Sequence, residues 1–303
     1  MTTNAIDSHV SREILRQPDS WARAGDLASR VADLLPHPGE RVAVIGCGTS
    51  WFMAGAYAAL REGSGAGETD AFAASEFPSG RSYDRVVAIS RSGTTTEVIR
   101  AMQATRSPVV AITAVAGSPV TDVASASVVM DFADEQSVVQ TVFATTALVL
   151  LRASLGEVVD PVIAQAVSVL DGKAPLSAVV MNASQISFLG QGWAYGIAQE
   201  AALKMREAAQ AWTEAYLQME YRHGPIAIAE PGRAVWVFGE PREGIASDVA
   251  ATGAVLVAGA LDPLADLIRV QQLAVRRAEQ LQLNPDRPRS LTRSVVLGEA
   301  PPT

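Results

Sequence analysis

Short apolar segments alternate with helical stretches along this chain, and the loop after each segment is rich in glycine and small polar residues. In the first half we predict buried strands at residues 42–45, 85–89 and 109–113, each followed by a helix. Strands that alternate with helices in this way form parallel sheets whose strands are covered on both faces. The chain is therefore predicted to be an α/β protein.

The same order of apolar run, glycine-containing loop and helix recurs about 145 residues later, with predicted strands at residues 186–189, 235–238 and 254–257. We interpret this recurrence as a duplicated unit, and a chain of 303 residues is long enough for about two domains. The first domain is predicted to span 1–160 and to include one or two helices within 11–34. The second is predicted to span 161–303 and to end in an arm that begins after residues 286–289, a segment containing Pro288 that breaks the last helix.

Composition excludes several classes of partner. The net charge of −8 without a long basic run leaves no surface for nucleic acid. The longest uncharged run, residues 136–151, is too short to cross a membrane, so we predict a buried helix there. Cys47 is the only cysteine, which rules out an intramolecular disulfide and a cysteine-rich metal site. No export signal is present at the start of the sequence, and we expect a cytoplasmic protein without metal or cofactor.

The loop after the second strand carries the pattern that most resembles a phosphate site. It reads Ser90-Arg91-Ser92-Gly93-Thr94-Thr95, and Gly48-Thr49-Ser50 follows the neighbouring strand. Ligands of open parallel sheets bind beyond the carboxyl ends of the strands, where helix starts offer free amides and short hydroxyls can contact a phosphate monoester. The glycine pattern does not match a dinucleotide site or a P-loop. The alternative interpretation is a polar helix cap that binds nothing.

One charged stripe lies on the long helix of the second half. Glu200, Lys204 and Glu207 have the spacing of a single helix face. Spacing alone favours a solvated face with a Glu–Lys pair. His223 precedes Gly224-Pro225, a turn signal, and is therefore predicted to lie in a loop. It is either a functional residue or an ordinary surface histidine.

Taken together, five ordered segments resemble the sugar isomerase (SIS) family. The closest resemblance is to the isomerase domain of glucosamine-6-phosphate synthase and to stand-alone phosphosugar ketose/aldose isomerases. It extends from about residue 11 to residue 296. The segments are Gly46-Cys47-Gly48-Thr49-Ser50, Ser90-Arg91-Ser92-Gly93-Thr94-Thr95, Glu200-Ala201-Ala202-Leu203-Lys204-Met205-Arg206-Glu207, Glu220-Tyr221-Arg222-His223-Gly224-Pro225, and Pro288-Arg289-Ser290-Leu291-Thr292-Arg293-Ser294-Val295.

The resemblance implies two flavodoxin-like SIS subdomains, each a parallel sheet flanked by helices. It implies that Glu207 moves a proton between C1 and C2 of an opened sugar, with Lys204 nearby, and that His223 helps open the ring from the neighbouring subunit of a homodimer. A carboxylate and a near-neutral histidine suit those two tasks. The implied phosphate contacts are Ser50, Ser90, Ser92 and Thr95.

The sequence also departs from the family pattern. Arg293 stands where the synthase has the lysine that forms a Schiff base, and a guanidinium cannot form that imine. Arg91 replaces the usual glutamine beside the phosphate and could grip the phosphate or a second anionic group. No glutaminase domain precedes the sugar half, so we expect no glutamine-dependent amino transfer by this chain alone.

Two functions remain open at this level. The first is a phosphosugar isomerase acting on a hexose or amino-hexose 6-phosphate, with an amine-releasing deaminase or deglycase as its close variant, because all of these need enediol-type proton transfer. The second is a non-catalytic, regulatory protein that only binds the phosphosugar, in which Arg293 marks a lost lysine. Retention of Glu207, Lys204 and His223 together favours the enzyme.

Overall fold

Two parallel sheets organise the computed structural model, which describes residues 8–298. The first sheet has the strand order β2-β1-β3-β4-β5 and the second has the order β7-β6-β8-β9. The strands are β1 (Val42–Gly46), β2 (Thr69–Ala73), β3 (Arg85–Ile89), β4 (Val109–Thr113), β5 (Ala126–Val129), β6 (Ile186–Gly190), β7 (Thr213–Leu217), β8 (Ala234–Val237) and β9 (Val255–Val257). Both sheets thus place their first strand between the second and the third, which agrees with the predicted repeat.

Helices cover both sheets. They are α1 (His9–Leu15), α2 (Gln17–Arg30), α3 (Thr49–Gly63), α4 (Thr96–Ala104), α5 (Pro119–Val123), α6 (Phe143–Ser154), α7 (Asp160–Leu170), α8 (Ala178–Met181), α9 (Ala194–Ala209), α10 (Ile245–Thr252) and α11 (Pro263–Gln280). In the part of the chain from 8 to 298, no helix is long and apolar enough to cross a membrane. The predicted fold class, two α/β subdomains with parallel sheets, is confirmed.

Sequence patterning found the strands inside the sheets and missed three others. All six predicted strands are present, whereas β2, β5 and β7 were not predicted. Each of the three lies at a sheet edge and is only partly buried, so its sequence lacks the continuous apolar run of a strand covered on both faces. The missed strands therefore reflect a weaker local signal.

The predicted helix at residues 136–151 starts later than expected. Residues 136–142 form a loop, and α6 begins at Phe143. The buried Glu135 carboxylate accepts hydrogen bonds from the amides of Thr141, Val142 and Phe143 at 2.6, 2.7 and 3.1 Å. A carboxylate at this position satisfies the free amides of a helix start. The Glu135 carboxylate therefore caps the start of α6 from across the loop formed by residues 136–142.

The two halves share one hydrophobic core. Residues of both sheets, such as Ile112 and Trp236, belong to the same buried cluster, and α3 packs against α9. A Cβ at Gly196 would lie 2.5 Å from the Phe52 carbonyl, so only glycine permits this approach. The close crossing brings α9 of the second half to the carboxyl end of the first sheet. The domain boundary near residue 160 stays a prediction.

Both ends of the described stretch, near residues 8 and 298, contact the first half. The N-terminal helix α2 packs against α6, where the Trp21 indole donates to the Thr145 hydroxyl at 3.1 Å. Helix α11 ends at Gln280, before the predicted break at 286–289. The chain then returns to the first sheet, and the Asp286 carboxylate accepts the amides of His9 and Val10 at 2.9 and 2.8 Å. We call residues 286–297 the C-terminal arm.

Candidate functional site

The turn after β1 forms one wall of the site. Gly48 has φ of +53°, and a Cβ at Gly46 would lie 2.7 Å from the backbone of Ser50. Glycine at both places lets the strand turn at once into α3. The turn leaves Thr49 and Ser50, both buried, at the carboxyl edge of the first sheet.

The loop after β3 forms the second wall. The Ser90 hydroxyl is buried and has no hydrogen-bond partner within residues 8–298. The Ser92 hydroxyl accepts from the amide and the hydroxyl of Thr94 at 3.2 and 3.0 Å. Thr95 precedes the first residue of α4, and its side chain does not cap the helix. The loop therefore offers hydroxyl groups that still have free hydrogen-bonding capacity, and they lie at the start of a helix. An anion-binding site requires both features.

Glycine is obligatory in this loop. Gly93 has φ of +68°, and an added Cβ would lie 2.0 Å from the Ser118 hydroxyl oxygen. Ser118 is itself fixed by a 2.8 Å hydrogen bond to the Val115 carbonyl. The loop can thus neither change its backbone conformation nor accept a side chain at this point.

The charged stripe on α9 faces this edge instead of solvent. Lys204 Nζ lies 2.5 Å from Glu207 Oε2, 3.4 Å from Glu200 Oε1 and 3.2 Å from the Thr49 hydroxyl. The exposed fraction of the side chain is 0% for Glu200, 1% for Lys204 and 19% for Glu207. The alternative of a solvated face is wrong, because α3 covers the stripe. Glu207 is the member of the trio that reaches open space.

Burial decides the protonation of the trio. Desolvation raises the pKa of Glu200 to about 8, and the neighbouring Glu207 charge adds to this, while Lys204 opposes it. Burial by itself would lower the pKa of Lys204, but the adjacent carboxylates outweigh it and raise that pKa. The trio therefore consists of a protonated Glu200 and an ion pair between Lys204 and Glu207 at neutral pH. In this state the positive charge of Lys204 and the negative charge of Glu207 cancel within the buried trio.

His223 lies apart from the trio. It is exposed, directly before Gly224, and its backbone amide donates to the Glu220 carbonyl at 2.9 Å. Its ring makes no hydrogen bond or ion pair with any residue that the structure describes. The neighbouring Arg222 is held by Asp248 at 2.6 Å. His223 thus has the predicted loop position, and its role stays a prediction.

The side chains of the two predicted arginines bind backbone carbonyls and a carboxylate. Arg91 is buried and donates to the carbonyls of Ser137 and Arg293 at 2.9 and 2.7 Å. The Arg293 guanidinium contacts the Asp134 carboxylate at 2.5 Å and the Glu135 carbonyl. Neither side chain is brought next to the Lys204–Glu207 pair by these contacts. Between residues 8 and 298, no group of three His, Cys, Asp or Glu side chains could hold a metal ion.

Two residues near the site were not predicted. Glu135 fixes the loop that receives Arg293, and Ser294 bonds to the Thr94 hydroxyl at 2.7 Å. Glu135 lies eight residues before the first residue of α6, farther than the spacing of a recognised capping box. Ser294 had no local signal, because its partner lies 200 residues earlier.

Known proteins with similar sequence are glutamine–fructose-6-phosphate aminotransferases. That of Methanothermobacter thermautotrophicus is 28% identical over 85% of this chain and 52% of its own length. That of Sulfurisphaera tokodaii is 30% identical over 76% of this chain and 41% of its own length. The chain thus spans about half the length of these curated relatives. No family model matches the chain.

Solved structures with a similar fold act on sugar phosphates. Glucosamine-6-phosphate deaminase from Thermotoga maritima superimposes with a TM-score of 0.80 at 22% identity, covering 96% of this chain and 100% of that protein. Tagatose-6-phosphate ketose/aldose isomerase from Escherichia coli gives a TM-score of 0.78 at 17% identity, over 94% and 97% of the two chains. At these identities the superpositions establish the fold.

Proposed function

Because this chain has the two-sheet fold and the sequence similarity of the sugar isomerase (SIS) family, we propose that it catalyses proton transfer on a hexose or amino-hexose 6-phosphate. The reaction is an aldose–ketose isomerisation or its amine-releasing variant. Glutamine-dependent transfer is not part of the proposal, since Arg293 replaces the imine-forming lysine.

The observation that carries the proposal is the position of Glu207. Its carboxylate is held by the Lys204 ammonium at 2.5 Å, yet it is the member of the buried trio with an exposed part. The contact with Lys204 orients this carboxylate, and a base must be held in place to remove a proton from a sugar carbon. An ion pair with a purely structural role could be buried completely and would not need a partly exposed carboxylate.

The phosphate would bind at the Ser90 loop. The unpartnered Ser90 hydroxyl, Ser92, Thr95 and Ser50 supply donors, and the α4 start favours negative charge. With this binding mode, the phosphate would lie at the first sheet and the reacting carbons beside α9. We further propose a homodimer in which His223 of one subunit serves the site of the other, because the exposed ring has no partner within its own chain in residues 8–298.

A non-catalytic binding protein is the second candidate. It is favoured by the engagement of Arg293 with Asp134, which leaves the family's lysine position without an amine for covalent chemistry. It would require only the hydroxyl loop, whereas the buried Glu200–Lys204–Glu207 arrangement would have no use.

Deuterium incorporation from D2O separates these candidates. Hexose and amino-hexose 6-phosphates are first tested for binding by thermal shift, and each ligand is then incubated in D2O and followed by NMR. We expect incorporation at C2, and we expect Glu207→Gln to lower its rate by about 10²- to 10⁴-fold with nearly unchanged affinity.

The control for this experiment is Glu243→Gln, which removes an exposed carboxylate that makes no ion pair with any residue between 8 and 298. This variant should exchange at the wild-type rate. Binding without any incorporation would support the non-catalytic protein. Loss of affinity in Glu207→Gln would contradict the proposed role of Glu207.

A further inference from the structure

Arg91 lies within the proposed phosphate loop, yet its side chain leaves the loop. Only 2% of the residue is exposed. Its guanidinium donates to the Ser137 carbonyl at 2.9 Å, to the Val138 carbonyl at 3.4 Å and to the Arg293 carbonyl at 2.7 Å. One buried cation therefore joins the Ser90 loop, the loop before α6 and the C-terminal arm.

The arm also contacts the Ser90 loop directly. The hydroxyls of Thr94 and Ser294 lie 2.7 Å apart, and Thr94 in turn donates to Ser92 at 3.0 Å. The Thr96 amide, at the first turn of α4, donates to the Val295 carbonyl at 3.1 Å. A further bond of 2.9 Å joins the arm at residue 297 to the Thr96 hydroxyl. The arm thus runs across the start of α4, next to the hydroxyls that would bind phosphate.

Two side-chain contacts fix the ends of this stretch. Asp286 accepts the first amides of α1, and Arg293 pairs with Asp134 at 2.5 Å. The partners in both contacts, backbone amides in one case and a carboxylate in the other, belong to the first half. Both contacts therefore hold the arm without any ligand. Arg91 belongs to the phosphate loop itself, as does Thr94, and it is the charged one of the two.

We propose that Arg91 is a positioning residue, which holds the C-terminal arm against the Ser90 loop before substrate binds and makes Ser294 part of the hydroxyl set of the site. The physical reason is geometric. A guanidinium presents five donors in a fixed plane and can bridge several carbonyls, whereas glutamine has two donors on one nitrogen. Both terminal nitrogens of the Arg91 guanidinium are engaged with backbone carbonyls, and the buried Nε–H is the donor left without a partner within residues 8–298. The inference rests on the proposed function only in treating the Ser90 loop as the phosphate site.

The first test needs no ligand. Arg91→Gln should release the arm, so trypsin should cut after Arg293 at least about tenfold faster than in the wild type. Arg277→Gln is the matched control, because Arg277 also donates to three backbone carbonyls, those of Val180, Met181 and Ala183, and does not contact the arm. Equal cleavage rates at Arg293 in the wild type and Arg91→Gln would overturn the proposal, as would an equal acceleration in Arg277→Gln.

Hydrogen exchange on the wild type keeps the inference testable even if Arg91→Gln does not fold. The ligand-free protein should protect the amides of Thr96 and Leu297, which bond to the arm and to α4 respectively. Exchange at both amides at the rate of an unstructured peptide would overturn the proposal. These readouts contain no sugar, so their outcome is separate from that of the D2O experiment.

A kinetic readout distinguishes positioning from general support of the fold. If the protein exchanges the C2 proton of a 6-phosphate, Arg91→Gln should raise KM about fivefold or more and leave kcat within about twofold. The phosphate is bound alike in the ground and transition states, so a misplaced arm costs binding. A selective loss of kcat would contradict this assignment of Arg91.

Discussion

The buried carboxyl group of Glu200 should make the stability of the protein depend on pH. Desolvation raises its pKa to about 8 from an ordinary value of 4.5, although Lys204 Nζ lies 3.4 Å from Oε1 and opposes the shift. The folded protein keeps the proton up to about pH 8, while the unfolded chain releases it near pH 4.5. The folded state is therefore favoured at low pH, and this contribution is lost as the pH rises through the folded pKa.

The size of the effect follows from the two pKa values. Each pH unit between them changes the free energy of unfolding by at most about 1.4 kcal/mol, so the full window corresponds to on the order of 5 kcal/mol. Glu200→Gln replaces the protonated acid by a neutral group of the same shape. The variant should lose this pH dependence. Between pH 5 and pH 8, its free energy of unfolding should therefore rise relative to that of the wild type by about 3 kcal/mol.

Urea unfolding of both proteins at pH 5, 6, 7 and 8, followed by circular dichroism, measures the difference. Titrating groups remote from the trio act equally on both proteins and cancel in this difference. Glu243→Gln, which removes an exposed carboxylate, should follow the wild-type curve. Parallel pH profiles for wild type and Glu200→Gln would refute the reasoning, because they would mean that Glu200 is ionised at little cost.

Two further expectations concern the loop and the subunit arrangement. Gly93→Ala places a Cβ 2.0 Å from the Ser118 hydroxyl at φ of +68° and should destabilise the protein by more than about 2 kcal/mol in urea unfolding. Gly117→Ala, with φ of +65° and open space, should lose only about 1 kcal/mol, and equal losses would contradict the clash. If His223 acts across a dimer, co-expressed His223→Ala and Glu207→Gln chains should recover about a quarter of the wild-type exchange activity, and no recovery would place both groups in one chain.

The sequence located the proposed phosphate loop because strand ends are local features. An apolar run such as residues 85–89 predicts a buried strand from its own neighbours, and the polar residues that follow must lie at the strand's carboxyl end. The spacing of Glu200, Lys204 and Glu207 likewise follows from helix geometry alone. What spacing could not decide was whether this face met solvent or protein, and from spacing alone the solvated alternative was favoured.

By itself, then, the sequence determined the α/β class, the two-fold recurrence, the loop after β3 and the resemblance to the SIS family. Only the tertiary structure decided that α3 covers the charged stripe and that the C-terminal arm returns to the start of α4. It also decided that the Arg91 side chain bonds to the loop before α6 and to the arm. Arg91 and Arg293 are 202 positions apart, and Lys204 and Thr49 are 155 apart. Side-chain direction and desolvation depend on such distant partners, whereas hydrophobic periodicity depends on residues a few positions away.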